Sequence, residues 1–173
     1  MYAPTVIRPN LIMMILLLAL VGCGSRSAGP LTTGDELPEL AVATLSGETV
    51  SLRGEAGQAV WVSFWASWCA PCREEWPDIN VAARDLGPEL RIVAVAVNEP
   101  EATVAAFVAE HPAVFTVALD PQGKLAKQFG VIGFPTHILI DSDGAIQQVV
   151  RGPLDGPRAA TLLGLAIAQG AGP

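Results

Sequence analysis

Cys69 and Cys72 stand three positions apart in the run Phe64-Trp65-Ala66-Ser67-Trp68-Cys69-Ala70-Pro71-Cys72. Two thiols at that spacing can close a small disulfide and reopen it. The first of them precedes a predicted helix, whose unsatisfied N–H groups favour negative charge and so stabilise a thiolate. A thiolate exchanges with other disulfides; a neutral thiol does not. The pair therefore describes a redox device, with Cys69 expected as the accessible attacking thiol and Cys72, one turn in, as the more buried resolving thiol. Pro71 falls early in the helix, where its missing N–H costs little and its ring stiffens the turn. Trp68 is expected to shield one flank.

Other uses of a cysteine pair have weaker support. Structural zinc takes about four ligands. Only Cys23, His111 and His137 remain as Cys or His ligands, and none shows paired spacing. A purely structural disulfide over so short a loop constrains the unfolded chain little. Delivery of a soft metal such as Cu(I) by the two thiols stays open as an alternative.

The elements that must position the pair follow from hydrophobic period. Leu40 to Leu45 and Thr49 to Leu52 read as a hairpin about Ser46-Gly47. Ala59–Trp65 and Leu90–Val97 are near-continuous apolar runs, as buried strands require. Pro71 to about Leu86 has helical period, with Pro77 expected to kink it. Helices are also predicted over Glu101–Glu110, Asp120–Phe129 and Arg158 to about Ala168. Further strands fall at Val114–Leu119, Thr136–Ile140 and Ile146–Val150, the last two forming a hairpin around Asp141-Ser142-Asp143-Gly144. The result is an α/β chain with a mixed central sheet flanked by helices on both faces.

The 173-residue chain is expected to form one domain. Its net charge of −7 argues against nucleic acid as a partner. Arg8 precedes an apolar run from Leu11 to Val21, too short to span a bilayer and of the length of a secretory h-region. The ending Leu20-Val21-Gly22-Cys23 resembles a bacterial lipobox. That resemblance implies a signal peptide over residues 1–22, lipidation at Cys23, a flexible lipid-anchored tether over 23–34 and a folded domain over 35–173. It also accounts for the odd third cysteine.

Three further stretches carry a family resemblance: Val62 through the CxxC to Arg73-Glu74-Glu75-Trp76-Pro77; Leu119-Asp120-Pro121-Gln122-Gly123; and Gly130-Val131-Ile132-Gly133-Phe134-Pro135-Thr136 with Leu139 to Gly144. From about Gly34 onward the chain resembles the TlpA/ResA/CcmG-like branch of the thioredoxin superfamily. The resemblance implies a thioredoxin-like fold with an N-terminal β-hairpin and an inserted helix-strand segment over Asn98 to Gly123. It implies that Pro135 is the cis-proline facing the CxxC, with Phe134 turned outward to pair with a partner strand beside Trp68. It makes Glu75, three residues after Cys72, a candidate for general acid/base work. Ser63 fills the slot where plain thioredoxins carry a buried acid, which shifts weight to Glu75. His137 is expected as a packed histidine, Trp61 and Trp65 as core, and Trp76 at the edge of the partner groove. Peroxiredoxins carry P-x-x-x-T-x-x-C; here Val62 and Ala66 fill the Pro and Thr slots, against a peroxidase.

The function implied is an extracytoplasmic, membrane-anchored thiol-disulfide oxidoreductase that needs no metal or organic cofactor. Its partners would be protein disulfide substrates, with apocytochrome c leading, and a membrane thiol-disulfide electron donor. A general disulfide oxidase or isomerase is the rival within the class, and a non-catalytic Cu(I)-binding lipoprotein the rival outside it.

Overall fold

The computed structural model describes residues 29–55, 57–87 and 89–165. Its first regular element is the expected hairpin, β1 (Ala41–Ala43) with β2 (Thr49–Ser51), paired antiparallel as a sheet of its own. The two apolar runs become β3 (Ala59–Trp65) and β4 (Leu90–Val97), parallel neighbours at the centre of a second sheet. Between them lies α1 (Ala70–Asp85), with Cys69 as its N-cap. The helix is continuous through Pro77. Next come α2 (Glu101–Glu110), β5 (Thr116–Asp120) and α3 (Lys124–Gln128), then β6 (Thr136–Ile140), β7 (Ile146–Arg151) and α4 (Gly156–Leu163).

The five-stranded sheet runs β5-β4-β3-β6-β7. Strands β3, β4 and β5 are mutually parallel, and β6 and β7 are antiparallel. Side chains alternate across it. Trp61, Ser63 and Trp65 of β3 share one face with Ala94 and Ala96 of β4 and with His137 and Leu139 of β6. On that face pack Trp76, Ile79 and Ala82 of α1, Val104 and Phe107 of α2, and Ala159 and Ala160 of α4. Val60, Val62 and Phe64 point the other way, into a core closed by the N-terminal segment, the hairpin and α3. Each large apolar side chain buried here contributes about 1.5–3 kcal/mol. That packing, rather than propensity in helices as short as α3, holds the elements in place.

Several boundaries differ from the sequence expectation; β5, for one, runs Thr116–Asp120 rather than Val114–Leu119. Helix α3 starts at Lys124 rather than Asp120, because Asp120 ends β5 and its Oδ2 accepts the Ala126 N–H at 2.9 Å. Helix α4 starts two residues early, because Asp155 caps it by accepting the Arg158 N–H at 2.8 Å. It ends at Gly164, which has φ 65°. The expected tether is partly folded onto the domain: Leu31 N–H donates to the Gln128 carbonyl and Gly34 N–H to the Ile146 carbonyl. The body of the protein thus begins near Leu31. The expected signal peptide, Cys23 and the expected tether up to residue 28 lie outside the described residues, as does the end of the last predicted helix. No described helix is long and apolar enough to cross a membrane.

Candidate active site

Strand β3 ends at Trp65, and the chain turns through Ala66-Ser67-Trp68, closed by Cys69 N–H donating to the Ala66 carbonyl at 3.0 Å. Helix α1 starts there. The Cys69 Sγ accepts the Cys72 N–H at 3.3 Å, one of the helix's orphan donors. The two sulfurs form a disulfide with Cα atoms 5.3 Å apart. The expected accessible outer thiol is not found in this oxidised state: Cys69 is 4% exposed and Cys72 1%. The order of burial is as expected. Trp68 stands 70% exposed, its ring edge-on to Phe134 with centroids 5.9 Å apart.

The Phe134–Pro135 peptide bond is cis. The Pro135 carbonyl accepts the Gly152 N–H at 2.9 Å, and Thr136 Oγ1 donates to the Gly133 carbonyl. Beside this segment runs an open groove of about 520 Å³, lined by Trp68, Asn98, Lys127, Ile132, Gly133 and Phe134 among others. Ile132 is 88% exposed at its rim. Two large apolar side chains, Trp68 and Ile132, left in water along one groove are what a docking surface for a peptide partner needs.

Glu75 lies on the Cys72 face of α1, one turn on, and is buried. Its Oε2 accepts the Leu154 N–H at 3.2 Å and lies 3.4 Å from His137 Nε2. Its Oε1 is buried with no hydrogen-bond partner among the described residues. His137 is fully buried, and its Nδ1 accepts the Trp61 indole N–H at 3.0 Å. Ser63 is its cross-strand partner on β3. Trp76, expected at the groove, is instead core: it packs against Trp65, Phe107 and Phe115 and donates to the His111 carbonyl. Trp61 and Trp65 are core as expected.

One site residue escaped the sequence reading. Asn98, at the end of β4, adopts φ 57° and turns the chain so that Glu99 reaches back to the active-site turn. The Glu99 carboxylate, itself buried, accepts the Ser67 N–H at 2.7 Å and the Ser67 hydroxyl at 2.5 Å. No lysine or arginine pairs with it among the described residues. The available signal was position: sites gather at the carboxyl ends of parallel strands, and Glu99 follows β4 directly beside the end of β3. Among the described residues, no group of three or more His, Cys, Asp or Glu side chains is placed to hold a metal ion.

Comparison with known proteins agrees with this geometry. Residues 33–149 match the AhpC/TSA family. The chain is 36% identical over 124 residues, 69% of each chain, to the thiol-disulfide oxidoreductase ResA of Bacillus thuringiensis. The crystal structure of a thiol:disulfide interchange protein DsbE from Chlorobium tepidum superposes with a TM-score of 0.68 at 35% identity, covering 76% of this chain and 93% of that one. The pneumococcal exposed lipoprotein thioredoxin Etrx1 of Streptococcus pneumoniae superposes with a TM-score of 0.66 at 25% identity, covering 73% and 98%. With a thioredoxin-like sheet, a strand-to-helix CxxC disulfide and these relatives, the chain belongs to the AhpC/TSA family as a thiol-disulfide oxidoreductase of the ResA/DsbE type.

Proposed function

We propose that this oxidoreductase works outside the cytoplasm, tethered to a membrane through Cys23, and reduces disulfides in exported proteins. One observation carries the direction. Two buried carboxylates, Glu75 and Glu99, stand at the CxxC, and no lysine or arginine pairs with either among the described residues. Negative charge near a sulfur disfavours its thiolate. A couple whose reduced form is disfavoured gives up electrons readily; the strong oxidant DsbA owes its potential to the opposite effect. The lipobox-like Leu20-Val21-Gly22-Cys23 supports the anchor, as does the likeness to an exposed lipoprotein thioredoxin.

The reaction runs in two exchanges. The Cys69 thiolate attacks one sulfur of the substrate disulfide, held along Phe134-Pro135 and Trp68, and the other substrate sulfur leaves as thiolate. Glu75 takes the proton of Cys72, whose thiolate attacks the Cys69 sulfur and releases the second substrate thiolate. The product is the Cys69–Cys72 disulfide, the state of this structure. A membrane thiol carrier returns the two electrons. The resemblance to the TlpA/ResA/CcmG-like branch favours apocytochrome c as substrate, whose haem-attachment thiols must be kept reduced.

The reduction potential of the couple tests the direction. A value between about −200 and −270 mV, the glutaredoxin-to-thioredoxin range, is expected; one near the DsbA value of about −120 mV refutes the reductant. Cys72→Ser should trap the substrate on Cys69 for identification by mass spectrometry, and apocytochrome c is the expected adduct. Cys23→Ala should release the protein from membranes.

A further inference from the structure

His137 has one nitrogen fixed and the other aimed. Its Nδ1 accepts the Trp61 N–H, and an accepting nitrogen carries no proton, so the ring proton is on Nε2. The Trp61 ring stands edge-on to the imidazole with centroids 5.6 Å apart, which holds its plane. Nε2 lies 3.4 Å from Glu75 Oε2 and, buried, makes no hydrogen bond in this oxidised state. Such contacts tighten when the reacting form is reached. A proton on Nδ1 would set an N–H against the Trp61 N–H, so Nε2 is the donor nitrogen of the ring.

We propose that His137 is a positioning residue for Glu75, holding Oε2 together with the Leu154 N–H so that Oε1 is the atom that takes the Cys72 proton. The proposal rests on the reading of Glu75 as the proton acceptor. Oε1 is the carboxylate oxygen without a partner, as an acceptor in waiting requires. In the step the S–H bond breaks, its electron pair stays on sulfur and the proton moves to Oε1. No proton passes through His137. Its Nδ1 is occupied and its ring meets no solvent, so the imidazole is a dead end for protons.

Few other charges reach this pocket. On α1 the titratable neighbours are Cys72 on the same face and Glu74 and Asp78, both exposed. Strand β3 presents Trp61 and Ser63, and β7 presents Val150 opposite His137. At the start of α4, Leu154 contributes its backbone, while Asp155 and Arg158 are exposed.

The test uses the reduced full-length chain in detergent, mixed with excess 4,4′-dithiodipyridine and followed at the wavelength of the released thiopyridone. The first release reports attack by Cys69 and the second reports resolution by Cys72. Glu75→Gln and His137→Leu should both slow the second release at pH 7 while sparing the first. For His137→Leu the loss should be about three- to tenfold, the effect of one hydrogen bond to a charged group, and the ascending limb of its pH profile should move up by about half a unit to one unit. His137→Gln, whose amide N–H can stand where Nε2–H stands, should restore most of the rate.

An unchanged second release in Glu75→Gln overturns the reading of Glu75 and the proposal with it. A slow Glu75→Gln beside a His137→Leu of wild-type rate and pH profile overturns the role of His137 alone. So does a His137→Gln as slow as the leucine variant. Should the variants fail to fold, imidazole ¹⁵N shifts of the wild-type protein decide. A ring proton on Nε2 with a bare Nδ1 at about pH 7 supports the proposal, and an Nδ1–H tautomer refutes it.

Discussion

Replacing Glu99 with alanine should loosen the active-site turn by a measurable amount. The carboxylate accepts two hydrogen bonds from Ser67, at 2.7 and 2.5 Å, and bonds to a charged group are worth about 1.5–3 kcal/mol each. Against that gross gain stands the cost of burying a carboxylate without a cation, several kcal/mol. The balance puts the net loss in Glu99→Ala at about 1–3 kcal/mol, or roughly 3–10 °C in melting temperature for a domain of this size. Urea denaturation of the oxidised protein, read by tryptophan fluorescence, measures it. Ser67→Ala removes only the hydroxyl bond and should cost about 1 kcal/mol. In the double-mutant cycle the pair should be coupled by about 1 kcal/mol. Wild-type stability in Glu99→Ala, or strict additivity of the two changes, would refute the clamp. Glu99→Gln, which keeps an acceptor and removes the charge, should raise the reduction potential by about 10–30 mV, the equivalent of up to tenfold in the exchange constant.

Three further outcomes are expected. A Cβ at Gly156 would stand 2.7 Å from the Ala82 Cβ, so Gly156→Ala must push α4 off α1. It should cost about 1–3 kcal/mol by denaturation and, by drawing Leu154 away from Glu75, slow resolution by Cys72. Trp68→Ala should raise the KM for a folded protein substrate while leaving the rate with a small aromatic disulfide within about twofold, because the exposed indole serves docking and not exchange. At Asp141 burial would raise the carboxyl, but hydrogen bonds from Ala145, Gln147, Asp143 and Gly144 outweigh it and hold the group below its ordinary value. A depressed carboxyl stabilises the fold above its unfolded value, near about pH 4, and that share is lost as pH falls through the folded value. Asp141→Asn should therefore flatten the acid limb of a stability-against-pH curve below about pH 5.

What was legible in the chain was whatever depends on neighbours along it. The apolar runs Ala59–Trp65 and Leu90–Val97 are central strands because residues buried on both faces leave no polar alternation. The CxxC falls at the strand-to-helix junction, and the hairpin about Gly47 and the cis bond at Pro135 are where expected. What was not legible joins residues far apart. Glu99 meets Ser67 across 32 positions, and His137 meets Trp61 across 76. Neither contact leaves a periodic trace. Glu75 could be singled out by its place three residues after Cys72 and His137 by its place just past Pro135, but not the contact between them, because β6 reaches β3 only through the sheet order. The burial of Cys69 was missed for a related reason: Trp68 turns outward toward Phe134, and the core beneath closes over the sulfur.

The stitched N-terminal segment fixes where the chain leaves the body. A Cβ on Gly130 would come within 2.8 Å of the Pro30 side chain, and Leu31 is bonded to Gln128, so the first described residues pack against Gly130, one of the residues that line the groove of Trp68 and Phe134. If Cys23 is the anchored residue, the seven positions from there to Pro30 reach at most about 25 Å. The enzyme is then leashed from the side on which Gly130 and the groove lie. It would graze a thin layer over the bilayer, where a membrane-borne electron donor and chains just emerging from export are within reach, and proteins adrift farther out would have to come to it.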